Sequence, residues 1–395
     1  EGCSRFTEIR TQWEEFAPRE ISQSEGRVKY FGGNVGSMKF FIEGLAKSFN
    51  SMVSKLNDDG LLVTYYAHTS PEAWAALLYA GWVKNKLRIT TTYPMATESA
   101  QRVPARGKIA LDTSILVVWR RGSSGVKPIN EAIREAVNAV VEEFKRRYAP
   151  RKVTVFGEEY EVKLPKDAGA RASLFIEALG IVLSELTKYE RLIGVDLSSV
   201  NEVMKFVSER IYPTVARALV TAFSTATGAG LVNDWRSGFY ILAKVLIPPP
   251  NGGGRRSIDK NTAVWFTTFG GKDVGDLVNE RLVFKEGDSL RLLEPVNRRG
   301  ASKSDVVKYI TELLSEKGVN STNPTLRNPI DVLHYLEYVA LVRSSSEVKG
   351  IVDDLRGKTT YVNDAITTAR IFASLLPEGD IEKVACGELV RALGG

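Results

Sequence analysis

His68 closes an apolar, β-branched and aromatic run, Leu61 to Ala67. A histidine just past the end of a parallel strand stands where open α/β sheets place their ligands. Imidazole there would orient a substrate or relay a proton, and its ordinary alternative is a hydrogen bond that ties down the strand end. Thr69 follows directly, and Thr97 and Glu98 stand in a polar stretch between two later apolar runs. Their side chains serve either a ligand or the chemistry of a turn. Arg255, Arg256, Lys260, Arg298 and Arg299 gather cations of the kind that meet phosphates, with solvated surface charge as the alternative. His334, beside Tyr335, reads as helix packing. The sequence shows no Ser-His-Asp order, metal-ligand spacing or paired-carboxylate signature.

The elements that must position His68 are legible. Asn57-Asp58-Asp59-Gly60 is a turn, and the 61–67 run is short and apolar enough for a buried strand. Ser70 then caps a helix with Pro71 at its first position, Trp74, Leu77 and Leu78 on its apolar face, and Gly81 at its end. Leu87 to Tyr93 alternates apolar with polar, and Ile115 to Trp119 is another apolar strand reached through a long polar loop. Strand, helix, strand at this spacing predicts a βαβ unit of a mostly parallel sheet. The last strand, joined without a helix, is expected antiparallel to the one before it.

That ending is how the sheet of S-adenosylmethionine-dependent methyltransferases closes. The wording also resembles one family within them, the adenine-specific DNA methylases that carry an N-terminal domain of unknown function. The resemblance rests on Gly60-Leu61-Leu62-Val63, Tyr66-Ala67-His68-Thr69, Trp74, Ala80-Gly81-Trp82 and Pro94-Met95-Ala96-Thr97-Glu98, in that order. It extends upstream to Pro18-Arg19-Glu20-Ile21 and, more weakly, through most of the helical remainder. It implies that the 67–69 strand end and the 94–98 loop border the pocket for an extruded adenine, with His68, Thr69, Thr97 and Glu98 as substrate-binding residues and DNA as the partner.

Two elements such enzymes need are missing from the sequence: the glycine-rich cofactor loop and an Asp/Asn-Pro-Pro-aromatic segment. Pro248-Pro249-Pro250 opens a glycine loop instead, and Gly32-Gly33 lacks the preceding strand and third glycine of a phosphate cradle. In the resembled family both elements lie upstream of the equivalent of Glu1. The expected fold is therefore α/β: the C-terminal half of a Rossmann-like methyltransferase sheet, followed by a mainly helical domain with small β-hairpins. No catalytic residue is expected within the chain. The expected function is part of an adenine-N6 methyltransferase, its S-adenosylmethionine bound mainly by residues outside this chain. An upstream half or a partner is needed to complete it, and the chain is expected to hold a second polypeptide that carries the N-terminal half or to self-associate. The alternatives are a noncatalytic nucleic-acid-binding or assembly protein on the same scaffold, and an RNA-modifying homologue.

Beyond Gly122-Ser123-Ser124-Gly125, the expected boundary of the 1–125 core, helices are predicted at about 128–148, 168–190, 198–211, 213–226 and 234–246. A hairpin interrupts them at 152–164. Residues 251–300 carry two short helices and a hairpin around Lys285-Glu286-Gly287-Asp288, a small α+β unit with a winged-helix-like order. Five helices complete residues 301–395. Across the 395 residues, 44% apolar and 25% charged content is ordinary for a globular chain. A net charge of +6 permits nucleic-acid binding without demanding it. No apolar run is long enough for a membrane span, and two cysteines, Cys3 and Cys386, fit a reducing cytoplasm.

Overall fold

A computed structural model describes residues 20–21, 37–66, 71–96, 113–148, 151–155, 158–162, 168–250, 253–287, 289–298 and 300–394. Its first sheet contains β1 (Leu62–Tyr66), β2 (Leu87–Ala96) and β3 (Thr113–Arg121), in the order β1-β3-β2. The helix Pro71–Leu78 lies between β1 and β2 in the chain. β3 runs antiparallel to both neighbours, so β1 and β2 share one direction without pairing. This corrects the mostly parallel sheet expected from the spacing. The last strand inserts between the other two and replaces one parallel ladder by two antiparallel ones, which are slightly more stable per residue.

Trp119, Val117 and Ile115 of β3 point inward and are buried. Trp119 donates its indole hydrogen to Thr64 Oγ1 at 3.0 Å and meets the Phe49 ring edge-on, 5.5 Å between centroids. Phe49 comes from the helix Ser37–Val53. A side chain at Gly81 would collide with both rings, its Cβ falling 2.7 Å from Trp119. Gly81 therefore does not end its helix: the chain continues through it as a π-helical segment, Tyr79–Lys84, because the glycine is needed where the tryptophan presses closest.

The two sheet edges differ. Thr187 Oγ1 accepts from Ile89 N at 2.9 Å, while Ser184 Oγ donates to Thr90 O and Thr92 Oγ1 donates to Ile176 O. The Ala168–Leu186 helix and the residue that follows it thus cap β2. Among the described residues no strand pairs with the β1 edge that faces away from β3, and Val63, Tyr65, Tyr93 and Met95 stand exposed on the outer face.

The Gly122–Gly125 stretch is held, not free. Ser123 N and Ser124 N donate to Lys86 O and Lys188 O, and Val126–Pro128 pairs in parallel with Arg191–Ile193. Beyond it the helices fall close to the predicted bounds: Ile129–Tyr148, Tyr212–Thr227, Trp235–Leu246, Pro329–Val342 and Ile381–Leu393. Arg151–Val155 and Glu158–Val162 form the expected hairpin. Buried apolar side chains make one connected cluster from Phe49 to Ala392. No helix among the described residues is long and apolar enough to cross a membrane.

Candidate functional site

His68, Thr69, Thr97 and Glu98 lie outside the described residues, but the strands that lead to them are fixed. Tyr66 of β1 and Pro94 of β2 both pair with Ile115, from opposite sides of β3. The chain therefore leaves β1 and β2 at the same end of the sheet, with two interstrand spacings, about 10 Å, between them. Tyr66 packs edge-on against Trp74 at 5.5 Å, and burial pushes its phenol pKa up. Beside Pro94 a cavity of about 190 Å³ runs between β2 and the Ala168–Leu186 helix, with Arg147, Glu177 and Ser184 on its wall. Arg147 and Glu177 pair there at 3.3 Å.

The five basic residues around 255–299 do not form one surface. Arg256 is fully buried, its guanidinium bonded to Glu294, to Asp380 Oδ2 at 2.6 Å and to the Ile247 carbonyl. A phosphate cannot reach it, and its role as a nucleic-acid contact is corrected to that of a structural ion partner. Arg255 is paired with Glu316 at 2.5 Å and Glu294 O at 2.7 Å. Lys260 and Arg298 are exposed, and Arg298 bonds the Tyr309 phenol, which raises its pKa. Arg299 lies outside the described residues. Around them Ser257–Asp259, Ser289–Leu292 and Val283–Glu286 build a three-stranded antiparallel sheet, with the helices Lys260–Thr267 and Val274–Asn279 between its first and second strands in the chain. This is the winged-helix order. Its second helix is capped by Asp273 and Asp276, which sets negative charge where a recognition helix meets a phosphate backbone.

Sequence reasoning missed a buried polar core where three helices meet. Trp235–Leu246 contributes Tyr240 and Lys244, and Pro329–Val342 contributes Asp331, His334 and Glu337. Ile381–Leu393, with Asp380 as its cap, contributes Glu382 and Cys386. Lys244 Nζ lies 2.5 Å from Glu294, 3.2 Å from Asp380 and 2.5 Å from Glu382, every side chain fully buried. Burial opposes the Lys244 charge, yet the three carboxylates outweigh it and hold its pKa above normal. Burial likewise works against the Glu382 charge, but Lys244 and the His334 hydrogen bond prevail and bring its pKa down to about 2. His334 is neutral at physiological pH, since burial and the nearby Lys317 charge lower its pKa to about 4. Glu337 moves the other way, well up, through burial and the Glu382 charge.

Tyr240 sits at the centre of this core. Its hydroxyl lies 3.0 Å from both Glu382 oxygens and 3.1 Å from His334 Nε2. The Cys386 thiol donates to Glu337 Oε1 at 3.0 Å. A sequence signal existed: His334 and Glu337 are three residues apart, and Glu382 and Cys386 four, spacings that put each pair on one helix face. Nothing in the sequence says that the two faces meet.

Comparison with known proteins adds no relative: no family model, curated protein or solved structure matches the chain. Its function rests on its own residues.

Proposed function

We propose that the chain is part of an S-adenosylmethionine-dependent methyltransferase acting on the exocyclic amino group of adenine in DNA. The observation that carries the reading is the end of the first sheet. Two strands of one direction, separated in the chain by a helix, open at the same end, and the last strand lies antiparallel to the one before it. The motif residues His68, Thr69, Thr97 and Glu98 follow directly on those strand ends. In this reading they orient an extruded base, or the loop that closes on it. Lys260 and Arg298, the exposed members of the basic group, are the phosphate contacts.

The chain carries no Asp/Asn-Pro-Pro-aromatic segment. The reading therefore includes an upstream half or a partner polypeptide that supplies that segment and most of the S-adenosylmethionine site, in a cytoplasmic complex on DNA. The test is methyl transfer to adenine-containing DNA by the chain reconstituted with such a polypeptide. His68→Ala and Glu98→Ala should each lose a positioning hydrogen bond of about 1–3 kcal/mol, roughly ten- to a hundredfold in rate, at unchanged melting temperature. Full activity in both variants removes these residues from the site.

A second reading is favoured by the 257–292 strand and helix order: a noncatalytic nucleic-acid-binding protein that keeps the methylase scaffold. Salt-dependent DNA binding by the chain, with no methyl transfer in any reconstitution, would select it.

A further inference from the structure

We propose that His334, Glu337, Glu382 and Cys386 form a metal site that clamps the Pro329–Val342 helix to the Ile381–Leu393 helix, with Zn²⁺ as the fitting ion. One ligand atom each from His334, Glu337 and Glu382 lie within 4.8 Å of one another, all buried. His334 Nε2 is 3.1 Å from Glu382 Oε1, and Cys386 Sγ is 3.0 Å from Glu337 Oε1. Donors bound to one tetrahedral ion at about 2.0–2.3 Å sit roughly 3.3–3.6 Å apart, so the His334, Glu337 and Glu382 donors must draw in by up to about 1 Å around an ion, with the Cys386 thiol turning in from its contact with Glu337.

A second observation points to a ligand. Glu337 Oε2 has no hydrogen-bond partner although it is buried, and an orphaned buried acceptor is costly. An ion bound through Glu337 Oε2 would satisfy what the protein leaves open. The outer groups are also in place. Lys244 holds Glu382 Oε2 at 2.5 Å, which leaves Oε1 turned to the site, and the Tyr240 hydroxyl lies against both Glu382 and His334. Such supporting contacts fix the orientation of metal-bound side chains. One imidazole nitrogen, two carboxylates and one thiolate suit a borderline ion. When a dication displaces the Cys386 thiol hydrogen and the Glu337 carboxyl hydrogen to solvent, the net charge of the core is unchanged. Four protein ligands in a closed core describe a structural site, loaded as the helices come together, and not a catalytic one with an open position.

The full chain, produced in zinc-supplemented medium and gel-filtered, should retain about one Zn²⁺ per chain by mass spectrometry of the metal. Removing the ion with a chelator should lower the melting temperature. Anaerobic titration of the stripped chain with Co²⁺ should give a thiolate-to-cobalt charge-transfer band, absent in Cys386→Ser. Glu337→Gln should retain the ion at least about tenfold less well. A folded wild-type chain that holds neither Zn²⁺ nor Co²⁺ overturns the proposal, whatever the variants do. So does equal metal retention by folded Cys386→Ser and Glu337→Gln, which would place the ion elsewhere.

Discussion

Lys244→Met would leave Glu294, Asp380 and Glu382 facing one another without the ammonium they surround. Breaking a fully buried ion network from one side costs about 3–5 kcal/mol, more than any exposed pair in the protein contributes. Urea denaturation of Lys244→Met beside the wild type should show that loss, and a change below about 1 kcal/mol would mean that water reaches the core. Arg256 shows why such residues mislead when read from sequence. Two adjacent arginines beside a glycine loop look like a phosphate clamp, yet Arg255 pairs at the surface with Glu316 while Arg256 turns inward to Glu294 and Asp380. Which way a side chain faces is set by carboxylates 38 and 124 residues away.

Helix ends are written locally, and their contributions can be removed singly. Ser302 caps the Lys303–Lys317 helix in a reciprocal box with Asp305, and Ser344 does the same with Glu347 for Ser345–Lys358. Ser302→Ala should cost about 1 kcal/mol in thermal or urea unfolding, without changing the far-ultraviolet helix signal. Contacts between elements are less forgiving. A Cβ at Gly180 would fall 1.8 Å from Thr92 Oγ1, so Gly180→Ala must push the Ala168–Leu186 helix off β2. Overpacking of this kind costs about 1–3 kcal/mol, and the hydrogen bonds from Ser184 and Thr92 across the same contact should weaken with it. Amide exchange at Ile89 and its neighbours should therefore quicken in Gly180→Ala; unchanged protection there would show that the helix absorbs the methyl group without moving.

For the molecule as a whole, the unpaired β1 edge and the apolar face beside it are the exposed liability. Tyr65 is 65% exposed and Val63 44%, on a strand whose outer edge no other strand pairs among the described residues. Such an edge invites pairing with another chain unless charge blocks it. The purified chain should self-associate or hold a second polypeptide, and Tyr65→Lys with Val63→Lys should return light scattering toward the monomer mass. A wild-type chain already monomeric at micromolar concentration would show that the edge is protected. On the methyltransferase proposal, cofactor affinity is a whole-molecule property too: the isolated chain, without the glycine loop, should bind S-adenosylmethionine more weakly than low micromolar, about −8 kcal/mol. Calorimetry that finds such affinity would place the cofactor site within this chain.

What the sequence by itself determined was local. Apolar periodicity, Pro71 at a helix start, and the Lys285-Glu286-Gly287-Asp288 turn gave the helices and hairpins to within a few residues, because each depends on neighbours in the chain. The direction of β3 was legible for the same reason, since the polar sequence before it carries no helix signal and predicts a chain that folds back. Its place between β1 and β2 was not, and neither was the continuation of a helix through Gly81, where Trp119 arrives from 38 residues away. The buried core of Lys244, Arg256, His334, Glu337, Glu382 and Cys386 was least legible of all. Each of these residues looks like surface charge or helix packing in its own segment. Only tertiary structure brings the three helices together, and only there, without water, does each charge require the others.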